Sequence, residues 1–214
     1  FRTKLAKRSF AVKVTDVMRD LTRRMYEEFD GFGESVAMDS TDIKAWSNGG
    51  KKGWKKRRKG KNRRPARPGT VSDPDAGWVV KTNTEGNQKY VWGYKAHILC
   101  DTTWELPVGA IKVTAGNVHD SQMARPLLSE ARFTYSKFNP TYVLADAAYS
   151  DRKLRTLIRG QYHAKPIIDP NPTHKRAFAN TDKTAEWKMV YRRRTAIERL
   201  NGQLKGHRKL NSVR

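Results

Sequence analysis

A short apolar run that ends on an acidic residue limits this chain more than any other feature of its sequence. Tyr142 to Ala145 is apolar throughout, and Asp146 follows it directly. A short apolar run of this kind is typical of a strand that is buried on both faces of a sheet. Val36-Ala37-Met38 leads into Asp39 in the same way. The sequence therefore predicts two buried strands that each end in a carboxylate.

The other hydrophobic patterns place these two strands in an α/β protein. Three antiparallel strands are predicted in succession, and helices then alternate with two further strands. Such an order favours a mixed sheet that is covered by helices. Apolar residues at helical spacing between Val14 and Phe29 predict a helical segment within residues 1–33. The predicted strands are 35–43, 90–100, 104–114, 141–146 and 165–169, and the predicted later helices are 119–132, 151–159 and 184–205.

The charge of the chain is strongly one-sided, which points to a polyanionic partner. Its 44 lysines and arginines stand against 21 acidic residues, for a net charge of +23. Nucleic acid is the commonest partner of a protein this basic. No apolar run approaches the length of a membrane span, and we expect no membrane partner. The single cysteine, Cys100, cannot form an internal disulfide and fits a reducing, cytoplasmic compartment.

A long basic insertion is predicted between the first two strands, at residues 47–88. It is rich in glycine, proline, asparagine and charge, and 11 of the 17 residues in 51–67 are basic while none is acidic. Cations neutralise phosphates, and Trp54 among them could stack on an unpaired base. The alternative is a solvated run of like charge. We expect DNA contacts at the centre of this run, from Lys55, Lys56, Arg57 and Arg58.

The last predicted helix presents one acid among cations and a phenol. Tyr191, Arg194, Glu198 and Lys205 fall within roughly 60° of one another on a helical wheel. An apolar stripe lies beside them and can pack on the sheet. Glu198 is thereby a candidate third carboxylate, although an intrahelical ion pair with Arg194 is the plainer explanation of that spacing.

Three acids in one chain also suit phosphoryl-transfer chemistry. Taken singly, Asp39 and Asp146 have the plainer explanation of caps or turns. Hard divalent cations prefer carboxylate oxygens, and two ions about 3.5–4 Å apart stabilise the attacking and leaving oxygens of an in-line displacement. Asp42 competes for the first position, and we favour Asp39 because an apolar strand leads directly into it. Asp120 is expected to cap a helix, with support of a metal ligand as the alternative.

The spacing Tyr191-x2-Arg194-x3-Glu198-x6-Lys205 resembles the motif of bacterial insertion-sequence transposases of the DDE type. This motif is specific, because four defined residues stand at fixed spacing. The resemblance covers roughly residues 34–214, in the right order. Further segments that resemble the family are Met38–Thr41, Asp73–Ala76, Gly93–His97, Gly116–Ser121 and Ala145–Tyr149.

The resemblance implies a ribonuclease-H-like catalytic domain in residues 34–214 and metal-dependent DNA strand transfer. By position it makes Asp39, Asp146 and Glu198 the catalytic acids and the ligands of two Mg²⁺ or Mn²⁺ ions. A bacterial cytoplasmic protein at the nucleoid follows from it, with a homodimer on DNA. Both ends are expected to be truncated relative to the family. The remaining expected DNA contacts are Tyr191, Arg194 and Lys205 of the motif, and Lys95 and His97, which share one face of a predicted strand.

Two other functions stay open at this point. A repurposed transposase remnant that only binds nucleic acid would need the cations and not the acids. A nuclease of the same fold would cleave DNA without joining it. Presence of all three acids favours the enzyme over the remnant.

Overall fold

The computed structural model describes residues 8–47, 73–82, 85–109, 111–170, 183–208, 210 and 212–213. A single turn of 3₁₀ helix, Ala147–Tyr149, accompanies the regular elements. In chain order these elements are α1 (Arg8–Glu28), β1 (Ser35–Ala45), β2 (Gly77–Thr82), β3 (Gln88–Asp101), β4 (Lys112–Ala115), α2 (Ser121–Thr134), β5 (Tyr142–Ala145), α3 (Arg152–Gln161), β6 (Lys165–Ile168), α4 (Ala185–Arg192), α5 (Thr195–Gly206) and β7 (Ser212–Val213).

The strands form a mixed sheet, as the sequence predicted. The main path runs β2-β3-β1-β5-β6, while β4 pairs with β3 and β7 with β1. β2 and β3 are antiparallel, whereas β1, β5 and β6 pair in parallel. β5 and β6 have four residues each, and the last three of each strand are apolar and buried. The predicted α/β class is therefore confirmed.

Three elements differ from their predictions. β2 lies inside the predicted insertion 47–88. The sequence pattern did not predict this strand, because its short Trp-Val-Val core is surrounded by turn-forming residues. The third predicted strand, 104–114, is reduced to β4, since Pro107 and the positive backbone angle of Gly109 interrupt it. The last helix is broken into α4 and α5 at residues 193–194. There the amides of Arg193 and Arg194 bond to carbonyls only three residues back.

The described residues within Phe1–Ser40, His97–Lys112 and His119–Gln203 make up one compact unit, the first unit. Its core joins the buried ends of β1, β5 and β6 to side chains from α2 and α3. Helix α1 packs on α2 and is tied to it by an ion-pair network: Arg19 and Lys112 donate to the two oxygens of Glu130, at 3.0 and 2.6 Å. Although burial opposes it, these cations hold the pKa of Glu130 below its usual value.

The second unit contains the described residues of Thr41–Ala96, Val113–Val118 and Leu204–Arg214. Its antiparallel ladder pairs Trp78 with Trp92 across β2 and β3, and their rings meet edge to face at 5.3 Å. The backbone approaches closely at Gly93, whose carbonyl accepts a hydrogen bond from the amide of Gly116. None of the helices in the described part of the chain is long and apolar enough to cross a membrane.

Gly93→Ala should destabilise the second unit. A Cβ atom at this position would lie 2.0 Å from the carbonyl oxygen of Ile43 and 2.8 Å from the amide nitrogen of Ala45. Because both obstacles are backbone atoms, the strands themselves must separate. We expect the free energy of unfolding in urea to fall by about 3 kcal/mol.

The matched control for this experiment is Gly160→Ala. Gly160 lies in α3, and nothing would meet a Cβ atom there within 4 Å. Alanine favours a helix by about 0.8–1.0 kcal/mol over glycine, so this variant should be as stable as wild type or more so. Equal stability of the two variants would contradict the close backbone approach at Gly93.

Candidate active site

Parallel pairing of β1 with β5 brings two aspartates to the same edge of the sheet. Ala37 pairs with Leu144, and Asp39 and Asp146 each stand two residues further along their chains. Side chains two residues apart in a strand share a face, so the two carboxylates are set side by side. The buried segment before Asp39 and the buried strand before Asp146 fix this register.

The two carboxylates are buried, and the charge of Asp146 also affects the ionisation of Asp39. Burial, and after it the negative charges of Asp146 and Asp120, raise the pKa of Asp39 from its usual 3.8 to about 6, although the Ser40 amide and Arg194 act against this. Burial also raises the pKa of Asp146, against hydrogen bonding from the Ala148 amide. The Ala148 amide lies 2.9 Å from Oδ1 of Asp146. Burial and neighbouring acids thus disfavour the charged forms of both carboxylates, while a nearby cation acts against both shifts.

That cation is Arg194, which stands in the turn between α4 and α5. Burial acts against its charge, but Tyr191, Glu198, Asp39 and Asp146 together raise its pKa. One guanidinium thus interacts with all three acids that the sequence singled out. The plane of Arg194 also lies over the ring of Tyr191, 5.7 Å from its centroid.

Glu198 is bound to Arg194 by the ion pair that its spacing allowed. The pair is four residues apart, with the Glu198 side chain 51% exposed and that of Arg194 19% exposed. Among the residues that the structure describes, no three histidine, cysteine or acidic side chains are grouped so as to hold a metal ion. The structure therefore brings Asp39 and Asp146 together, while Glu198 is held by the arginine.

Asn201 is a site residue that the sequence analysis missed. Its amide nitrogen, Nδ2, donates to Oδ2 of Asp39 at 3.1 Å and so fixes the orientation of that carboxylate. The available signal was its position on α5, because residues three apart on a helix are neighbours and Asn201 follows Glu198 by three. The neighbouring carboxylates of Asp39 and Asp146 supply the oxygen ligands that hard divalent cations prefer.

Asp42, the competing first aspartate, belongs to an ion-pair cluster in the second unit. Lys205 donates to its Oδ1 at 2.8 Å, and Lys81 contacts the same oxygen. Burial works against the charge, but these two hydrogen bonds lower the pKa of Asp42 to about 2. The two cations neutralise Asp42, in contrast to Asp39. Lys205, an expected DNA contact, is engaged in this cluster.

The other expected DNA contacts have different surroundings in the structure. Tyr191 stacks on Trp187 at 4.7 Å between ring centroids. Lys95 donates to the carbonyl oxygen of Val118 at 3.1 Å. His97 is fully buried, so the expectation of a DNA contact there is wrong: from β3 its side chain turns into the protein. The four basic residues Lys55, Lys56, Arg57 and Arg58 lie outside the described residues.

Comparison with known proteins identifies one family. The sequence matches the family model described as "Transposase DDE domain" over residues 30–214. Comparison with curated proteins finds no significant match.

Two solved structures show a distant likeness. One is the Mos1 transposase paired-end complex with left transposon end, at 11% identity and a TM-score of 0.33, over 89% of this chain and 59% of that chain. The other is the Mos1 strand transfer complex, at 11% identity and a TM-score of 0.32, over 89% and 58%. The chain thus spans under two thirds of the length of these two proteins.

Asp39→Asn should stabilise the protein in the absence of divalent ions. Because the pKa of Asp39 is raised in the folded state, its contribution to stability is full below pH 3.8 and is lost as the pH rises through about 6. Asparagine carries no charge and can still accept the Asn201 hydrogen bond. We expect a gain of about 1–3 kcal/mol at pH 8, measured by urea unfolding in EDTA, and a smaller gain at pH 4.5.

The matched control is Asp151→Asn. Asp151 caps α3 through the amides of Lys153 and Leu154, and asparagine caps helices equally well. Its stability should therefore stay within about 0.5 kcal/mol of wild type at both pH values. A loss of stability in Asp39→Asn at pH 8 would show that the charge of Asp39 is not repelled in the folded protein.

Proposed function

The chain belongs to the family of transposase DDE domains, and from that membership we propose that it cleaves DNA at transposon ends and joins the freed ends to target DNA. Asp39, Asp146 and Glu198 are its proposed catalytic acids, on a ribonuclease-H-like sheet. The observation that carries the proposal is the crowding of Asp39 and Asp146 at one edge of the parallel strands, where both pKa values are raised. A carboxylate pair of this kind favours bound cations.

The donor chemistry of the site fits divalent metal, and we propose Asp39, Asp146 and Glu198 as the ligands of two Mg²⁺ or Mn²⁺ ions. When bound, such ions stabilise the charge on the attacking and leaving oxygens of a phosphodiester. The chain itself supplies the orientation. Asn201 fixes the carboxylate of Asp39 by its hydrogen bond, and the amide of Ala148 fixes that of Asp146.

In this proposal, Glu198 approaches Asp39 and Asp146 after its ion pair with Arg194 has broken. Its ion pair with Arg194 is half exposed on the glutamate side, and such pairs contribute about 0–1 kcal/mol. A DNA phosphate offers the guanidinium a charge-assisted, bidentate partner. Binding of DNA would thus occupy Arg194 and release Glu198 toward Asp39 and Asp146. Tyr191, beside Arg194, would contact the sugar or base of the same nucleotide.

The proposed partner is DNA, both transposon end and target, bound by a homodimer in the bacterial nucleoid. The net charge of +23 supports a polyanionic partner. The strand order supports the ribonuclease-H-like assignment, since an antiparallel pair leads into parallel strands β1, β5 and β6. The basic segment 51–67 is the proposed contact with the DNA backbone. Lys95 and Lys205, which stand in segments that resemble the family, are further proposed contacts.

Asp146→Asn tests the catalytic assignment. The substitution removes one charged ligand and keeps the shape of the side chain. We expect Mg²⁺-dependent cleavage and joining of a matched transposon end to fall at least about a thousandfold, the equivalent of about 4 kcal/mol. DNA affinity, measured by fluorescence anisotropy, should change little.

Two matched variants control this experiment. Asp151→Asn and Asp42→Asn each remove an acidic charge from another position, and both should keep cleavage and joining. Undiminished cleavage by Asp146→Asn would reject Asp146 as a ligand. A severe loss with Asp42→Asn would instead move the first catalytic position from Asp39 to Asp42.

Replacement of segment 51–67 by a Gly-Ser linker tests the DNA contact. If about six of its 11 cations each neutralise a phosphate, the segment contributes about −5 to the slope of log affinity against log salt. The linker variant should show a correspondingly flatter slope, with an unchanged circular dichroism spectrum. Retention of the full slope would assign the contact elsewhere, with Arg192, Arg193 and Arg194 as the next candidates.

A further inference from the structure

Asp120 stands immediately before α2, where a capping role was expected. Within the described residues 111–170, its side chain makes no capping hydrogen bond to that helix. Its Oδ1 instead lies 3.9 Å from Nδ1 of His97. The expectation of a capping aspartate is therefore wrong, and the side chain is directed to the interior of the first unit.

A fully buried polar side chain, that of His97, lies next to Asp120. His97 is fully buried in β3, and an imidazole in such a place requires a polar partner. The side chain of Asp120 keeps 20% of its surface exposed to solvent, whereas His97 beside it is fully buried.

The hydroxyl of Tyr149, three residues after Asp146, is a second buried polar group of the first unit. Tyr149 is fully buried in the turn that follows Asp146, and its hydroxyl has no hydrogen-bond partner among the described residues. Burial first, and then the negative charges of Asp120, Asp39 and Asp146, raise the pKa of this phenol. A buried hydroxyl without a partner costs about 1–3 kcal/mol, a cost that phenylalanine avoids. The protein therefore keeps this donor buried, at a cost in stability, in the turn that directly follows Asp146.

We propose that Asp120 is a fourth acidic residue of the site, a positioning residue that is supported by His97 and Tyr149 and strengthens divalent-cation binding by Asp39 and Asp146. The inference rests on the proposed function, because it concerns the same metal site. Asp120 adds negative charge beside two carboxylates that share one arginine, and a cation is the partner that relieves this surplus. Tyr149 donates to the carboxylates in their cation-bound arrangement and so holds them in place.

Mn²⁺ titration of the full chain, followed by electron paramagnetic resonance of the free ion, tests this role without DNA or turnover. Loss of a supporting group costs about 10–100-fold in metal affinity. We expect Asp120→Asn to lower Mn²⁺ affinity at least about tenfold. Asp151→Asn, which removes an exposed acid from the same unit, should bind Mn²⁺ like wild type.

Tyr149→Phe separates positioning from structural support. Since its hydroxyl has no partner among the described residues, the variant should unfold at the same urea concentration as wild type or a higher one. Its Mn²⁺ affinity should nevertheless fall several-fold. A purely structural tyrosine would show the reverse, with lower stability and unchanged affinity, and that result would overturn the role of Tyr149.

Asp146→Asn distinguishes failure of this inference from failure of the proposed function. If it abolishes Mn²⁺ binding while Asp120→Asn and Tyr149→Phe bind like wild type, Asp120 is not a positioning residue and the metal site stands. If Asp146→Asn binds Mn²⁺ like wild type, the proposed metal site itself is wrong, and the role of Asp120 falls with it.

Discussion

Burial of Asp39 and Asp146 side by side is the constraint on which the rest of the site depends. Parallel pairing of β1 and β5 sets the two carboxylates side by side, and burial removes the water that would screen them. The apolar strands thus hold two carboxylates at their ends in a buried place, where the charged forms are disfavoured. Arg194, Asn201 and the amide of Ala148 relieve this effect in part.

The two candidate first aspartates differ in the charges around them. Asp39 and Asp42 are three residues apart in one strand, and both are partly buried. Two lysines neutralise Asp42, whose pKa falls to about 2, whereas the pKa of Asp39 rises to about 6. A paired carboxylate is a structural element with little left to offer a cation. An underneutralised carboxylate is the one that a divalent ion stabilises.

Sequence patterns predicted the strands that carry the acids, because an uninterrupted apolar run is a strong local signal. They missed β2, whose six residues stand among glycine, proline and charge, and the break between α4 and α5, which no proline or glycine marks. These patterns could not predict contacts between residues that are far apart in the sequence. Asn201 and Asp39 are 162 residues apart, and only the folded chain brings them into contact. His97 was assigned to the surface because strand periodicity cannot tell which face is buried.

Diffraction from crystals of the protein grown with Mn²⁺, recorded at the manganese absorption edge, tests whether Asp39 and Asp146 together bind a divalent ion. We expect an anomalous peak at about 2.0–2.2 Å from carboxylate oxygens of both Asp39 and Asp146. The carboxylates should rotate toward it while β1 and β5 keep their register. A peak confined to Asp42, or bound manganese that touches neither Asp39 nor Asp146, would contradict a metal site at these two carboxylates.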